Sequence, residues 1–535
     1  MHLTWVTAKK EFTSNILSLR LLIGLIICSV LFVSSTYVLT RDYEKTLHAY
    51  NAAETEHRNE FKKVNVYSKL KVNVDKAPEP LSAICLGMEK QLGNTVLVSY
   101  EDVPTGASLS GENPPFGLFS YQFLARGWLS GGGNTLLNVF SYVDAVVIVQ
   151  VALSLFTILI AYDVVSGERE RGTLGLVMSN PVSRFHILVG KYLGGIGSIM
   201  LPLIIGWIAG VILMLASPML EFRPAEWGRI SILFVVSALY LSIFFLLSML
   251  VSAKATRSAT ALIWLLFLWV VLVLVIPNGF AYLAGQVRPI ESKAKVDAER
   301  NSMMDELRQK VVDYGEEHQN WSYIKGNYEV YSGMYPIASQ VLNGSREAML
   351  WYLDGARFYV PLSIEYGERV GDIYKEYYRS LRKQTILAEN LSRLSPGWVY
   401  YNISAILAGT DLGRYEQFIK RAQDYRRELM EYMREQGAFS TIKWFTRAEL
   451  EKLPSQEGIN GLDGEARRSF LDRLRPKSWD EVEPLDLSGM PVFTSERESL
   501  IAVIGRALPD LVILVLLNAL LFWGAAAFFL ESEVK

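Results

Sequence analysis

The chain has 535 residues, half of them apolar and a fifth charged, with a formal net charge of −2. That mixture excludes both a bare bundle of membrane helices and a purely soluble protein, and a charge near zero gives nucleic acid nothing to bind. The two cysteines, Cys28 in an apolar run and Cys85 in a polar stretch, exclude a disulfide framework and a cysteine zinc site.

Residues 1–20 carry Trp5, Ala8, Phe12, Ile16 and Leu19 at helical spacing, with Lys9 and Lys10 on other faces. They read as a cytoplasmic interfacial helix, the alternative being a plain charged flank to the first span. Residues 21–39 are uncharged and long enough to cross the hydrocarbon core. A cleaved signal peptide competes, but the run is long for one and no Ala-x-Ala site follows. Residues 40–142 form a first extracytoplasmic region, polar and helical at 42–63, alternating over 62–75, then broken by prolines and by Gly131 to Gly133. Residues 143–163 are a second span and 164–191 a cytoplasmic loop. Spans three to five follow at 192–216, 230–253 and 259–284. Gly206 and Gly210, four apart, allow a close helix contact or reflect ordinary glycine enrichment in membrane helices. Residues 285–506 are a second extracytoplasmic region with helical periodicity at Val296 to Tyr314, Val370 to Leu381 and Phe418 to Tyr432, and 507–530 are the sixth span. Lysines and arginines concentrate in the short segments that lie inside when both termini are cytoplasmic, while the outside loop carries only Arg223 and Arg229. The expected fold is an α-helical integral membrane protein: six transmembrane helices with a composite, mainly helical α+β extracytoplasmic domain.

The stretch 163–194, DVVSGERERGTLGLVMSNPVSRFHILVGKYLG, organises the chain. A charge cluster (Glu168, Arg169, Glu170, Arg171) opens it, a short apolar helical piece follows, Asn180 and Pro181 break the pattern, and Ser183 is placed to cap the next helix. On physical grounds alone it is either a solvated loop or a grip for a soluble partner at the membrane surface. Gly167 and Gly172 have the glycine spacing of half a phosphate loop, but Thr173 and Leu174 stand where lysine and a hydroxyl are needed. The histidines are scattered, and H-E-x-x-H and G-x-S-x-G are absent, so no enzyme is expected. Asp510 either lines a translocation path or is solvated or arginine-paired near the membrane edge. Asn518 bonds either across a dimer interface or within its own subunit.

The pattern Asp163, Ser166, Gly167, Glu168, Gly172, Thr173, Leu174, followed by Pro181, Val182, Ser183, Arg184 and then Gly190 and Lys191, resembles the cytoplasmic loop of ABC-2 type transporter permeases. Residues 77–98 and 391–418 resemble the subgroup with a large extracytoplasmic domain. The resemblance implies that Asp163, Ser166, Gly167, Glu168, Arg169, Glu170, Arg171, Gly172, Thr173 and Leu174 form an ATPase-coupling element. It implies a separate nucleotide-binding subunit holding ATP and Mg, no cofactor in this chain, and a second permease subunit, identical or paralogous. It further implies outward transport across the inner membrane of a prokaryote. The size of the outer domain leaves open a different role, an ATP-driven mechanotransmitter or scaffold acting on extracytoplasmic proteins without moving a solute.

Overall fold

In hydrocarbon every backbone N–H and C=O must be paired within the protein, so long apolar runs have to be helices. The computed structural model describes residues 2–90, 92–104, 143–173, 183–318, 329–334, 337–343, 345–474 and 482–531. Among them six helices are long and apolar enough to cross a membrane. The expected features at Leu174, Leu176, Pro181 and Val182, and at Gly131 to Gly133, lie outside the described residues.

Helix α1 (His2–Ile16) leads through Ser18, whose Oγ accepts the Leu21 N–H, into α2 (Leu19–Phe61). With no proline, and no glycine after Gly24, the first span and the polar helix beyond it become one rod of 43 residues, about 65 Å at 1.5 Å per residue. Strands β1 (Val72–Asp75) and β2 (Thr95–Val98) pair antiparallel. The alternation expected from residue 62 onward is strand only from Val72; Tyr67–Lys69 is a 3₁₀ turn instead.

The second span is α3 (Ala145–Val147, a π-helical turn Ile148–Leu153, then Ser154–Ala161), closed by a short helix α4 (Ser166–Glu170). Helices α5 (Arg184–Leu215), α6 (Pro224–Lys254) and α7 (Ser258–Val287, with a π-helical turn at Val270–Val275) are spans three to five. Ser183 occupies the N-cap position of α5, but its side chain makes no capping hydrogen bond; its carbonyl takes the His186 N–H instead, a correction to the expected cap. Gly206 and Gly210 face Phe32 and Thr36 of α2, so their close contact is made inside the chain.

The second outer stretch contains α8 (Lys293–Glu317), the hairpin β3 (Glu329–Met334) and β4 (Ile337–Asn343), and α9 (Arg346–Ser392). It continues through α10 (Pro396–Ala408), α11 (Leu412–Glu435), α12 (Gln456–Asn460) and α13 (Gly464–Leu474). The sixth span is α14 (Leu500–Glu531). Strand among the described residues is confined to two antiparallel pairs, so the region beyond the spans is helical with little β structure.

Both outer stretches share one core, in which Val72, Val96 and Val98 meet Met349, Phe418, Tyr425 and Trp444. Buried Arg426 of α11 clasps them: its guanidinium donates to the Ser99 carbonyl (3.0 Å), to the Tyr100 carbonyl (2.9 Å) and to Glu368 of α9. A second core runs through the spans and includes α10, whose Trp398, Val399, Tyr400 and Ile403 sit among residues of α3, α6 and α14. The stretch that begins at Ser392 therefore returns from the outer domain into the bundle.

Candidate functional site

A helix as short as α4 cannot hold itself together in water, so neighbours must supply its missing hydrogen bonds. Ser252, near the end of α6, accepts both the Val165 N–H (3.1 Å) and the Ser166 N–H (3.0 Å). The buried Ser166 hydroxyl lies 3.1 Å from the same Ser252 oxygen and donates to Ser258 Oγ at 3.2 Å. Gly167 is enclosed: an added methyl would lie 3.2 Å from Asp163 Cβ. Past the helix, Gly172 adopts φ +70°, the left-handed turn that glycine takes without strain, with open space beside it.

The charged side chains mostly face their own protein. Glu168 lies 2.8 Å from Lys191 Nζ, which also donates to Glu11 (2.9 Å) and to the Val164 carbonyl (3.1 Å). Lys191 is 2% exposed, so this ion network is inside the molecule. Arg169 donates to the carbonyls of Ala253 (3.0 Å) and Ala255 (2.7 Å), pairing groups that the end of α6 leaves open. Glu170 accepts the Ser258 N–H (3.0 Å) and hydroxyl (2.7 Å), and so caps α7. Asp163 pairs with Arg20 of α2 at 3.2 Å, and that guanidinium lies over the Tyr162 ring. Arg171, Gly172 and Thr173 are exposed. The structure thus gathers Asp163 to Thr173 at one junction where α1, α2, α5, α6 and α7 meet, while Leu174 lies outside the described residues.

Helix α1 reaches this junction by crossing α5 at Gly190 and Gly194. An added methyl there would sit 2.9 Å from the Thr4 carbonyl oxygen and 2.4 Å from that of Ala8, distances no side chain tolerates. Trp5 and Leu17 remain exposed, at 70% and 81%.

Sequence reasoning missed Glu11, Arg20, Ser252 and Ser258 as parts of this site, and matched Lys191 to a pattern without giving it a role. A lysine at the start of an otherwise apolar span was the available signal for Lys191; the serines carry none.

The two intramembrane candidates are elsewhere. Asp510, 1% exposed, accepts from Arg393 Nε (2.7 Å) and Asn402 Nδ2 (2.8 Å). Its sequence neighbour Arg506 is engaged with Asp411 (2.6 Å) and Glu498 (2.7 Å). Asn518 donates to the Leu239 carbonyl (3.1 Å) and the Leu514 carbonyl (3.0 Å), so its N–H groups are used within the chain.

Six helices long and apolar enough to span, a second helical core beyond them and a short charged helix locked at the ends of the spans define a polytopic membrane protein. A family model described as ABC-2 family transporter protein matches residues 5–412, and the chain belongs to that family. Among curated proteins it is similar to the probable ABC transporter permease protein NosY of Stutzerimonas stutzeri, 29% identical over 167 residues, covering 29% of this chain and 59% of that one. The NosY protein of Pseudomonas aeruginosa is 34% identical over 126 residues, 23% of this chain and 44% of its own. The match therefore spans about half the length of these relatives.

Proposed function

We propose that this permease is driven by a separate ATPase subunit that docks on α4, and that it exports its substrate across the inner membrane with both termini in the cytoplasm. The observation that carries the reading is the way α4 is held. Its side chains bind the ends of α6 and α7 and the Lys191 network, so a push on α4 is a push on the spans. Just past α4, Arg171, Gly172 and Thr173 are exposed and, among the described residues of this loop, bond to no other helix: Arg171 and Thr173 donate only to the carbonyls of Gly167 and Glu168. Docking is assigned to these three residues, and the inward-facing Glu168 and Arg169 transmit the movement. ATP and Mg are held by the partner, and a second permease subunit, identical or paralogous, completes the pathway.

The test separates the two roles. In the purified complex Arg171→Glu lowers ATP hydrolysis by weakening recruitment of the ATPase subunit, while the melting temperature of the permease is unchanged. Glu168→Gln keeps the ATPase subunit bound but uncouples it and lowers the melting temperature. Full recruitment by Arg171→Glu contradicts the docking assignment.

A second reading, transmission of force to extracytoplasmic proteins, is favoured by the unbroken passage of α2 from the membrane into the outer domain. Reconstituted transport of a defined substrate would decide against it.

A further inference from the structure

The two π-helical turns in the spans flank the same element, α10. In α3 the Ser154 N–H bonds the Val149 carbonyl, five residues back, so the Gln150 carbonyl loses its usual partner. That carbonyl accepts the Tyr240 hydroxyl (2.9 Å) and the Ser154 hydroxyl (2.5 Å). In α7 the Ile276 N–H bonds the Val271 carbonyl, and the Leu272 carbonyl so released accepts the Ser395 hydroxyl, at the N-cap of α10. Pro277, with no N–H to give, accounts for the position of this turn.

The first turn of α10 sits between the two. Gln150 Nε2 donates to the Gly397 carbonyl (3.1 Å), and a methyl on Gly397 would lie 3.2 Å from that nitrogen and 3.6 Å from Val273 Cα. Further along, Tyr400 stacks on Tyr240 with centroids 4.5 Å apart, its hydroxyl 2.9 Å from Ser237 Oγ, and Asn402 and Arg393 hold Asp510 of α14.

We propose that α10 is a movable wedge between the spans and that the two π turns are its hinges. Both turns can revert to α-helix by exchanging a side-chain hydroxyl for a backbone N–H on the same carbonyl. Tyr240 releases Gln150 to Ser154, and Ser395 releases Leu272 to Ile276. Each backbone N–H only moves from one carbonyl to the next, so a reversion costs the one bond of the released hydroxyl, a difference small enough for a two-state element. Reversion in α7 releases Ser395 at the N-cap of α10, reversion in α3 rotates Gln150 and so draws its amide from the Gly397 carbonyl, and α9 and α11, which flank α10 in the chain, carry the movement into the outer domain. This rests on the permease reading above.

The experiment uses the full complex with its ATPase subunit. Asn402→Cys with Asp510→Cys, joined by a short bifunctional thiol reagent, pins α10 to α14; native Cys28 and Cys85 are buried. The bridged complex is expected to lose ATP hydrolysis by about tenfold relative to the unbridged variant, since arrested conformational steps limit turnover. Should the substitutions alone inactivate the complex, hydrogen exchange of the unsubstituted complex decides: amides of 396–408 exchange faster with ATP and vanadate than without nucleotide. Undiminished hydrolysis after bridging, or exchange of 396–408 indifferent to nucleotide, overturns the hinge while leaving the permease reading intact. A complex without an ATPase subunit overturns both.

Discussion

At the scale of residues, Lys191 carries the junction. A lysine this deeply buried is tolerable only because two carboxylates and a carbonyl surround it. Lys191→Met leaves Glu11 and Glu168 without their cation, and breaking such a buried pair costs on the order of 3 kcal/mol. Thermal unfolding of the detergent-solubilised chain measures this, and adding Glu168→Gln should return part of the loss. A single variant as stable as its parent would contradict the network. Cys85 gives a second check. It is fully buried, and burial, reinforced by the Asp144 charge, holds its thiol well above the ordinary range, so the thiolate does not form as pH rises through the usual thiol range. Iodoacetamide should therefore leave Cys85 of the folded chain unlabelled from about pH 7 to about pH 9 while labelling the unfolded chain. Labelling of the folded chain that climbs with pH would show the site is open. The letters of the 163–174 stretch were legible in the sequence, but the direction each side chain faces was not. Glu168 reads as a surface charge until Glu11 and Lys191, 180 positions apart, are brought beside it.

At the scale of elements, the spans were legible because an apolar run of sufficient length has one stable form in lipid. What lay beyond them was less so. The continuity of α2 depends on the absence of a helix breaker, which periodicity alone does not register. Residues 396–408 were read only as part of the second extracytoplasmic region; the 13 residues of α10 are too few to span a membrane. Nothing local says that so short a helix re-enters the bundle; its partners Ser237, Leu272 and Asp510 come from three distant helices. The crossing of α1 and α5 yields a test at this scale. Gly194→Leu cannot be accommodated against the Ala8 carbonyl and should lift α1 from α5. Trypsin should then cleave at Lys9 and Lys10 faster than in the parent, with the spans still inserted. An unchanged cleavage rate would show that the close crossing is dispensable.

At the scale of the whole molecule, two cores are joined by α2, which contributes to both, and by the chain on either side of α10, which belongs to the core of the spans. Helix α2 passes from the spans to the outer domain without a break, and α10 returns from the outer domain to the spans. At the opposite end, α4 grips the ends of α6 and α7. Under the proposed coupling, a force applied at Arg171 to Thr173 would pass through α4 to the spans and along α2 to the second core. The most direct measurement of this account places a photo-crosslinking amino acid at position 171 in native membranes and identifies the captured protein. The account expects a nucleotide-binding ATPase subunit, captured from position 171 and not from position 435 at the end of α11. Capture of no nucleotide-binding protein at 171, in a chain that is folded and inserted, would contradict it.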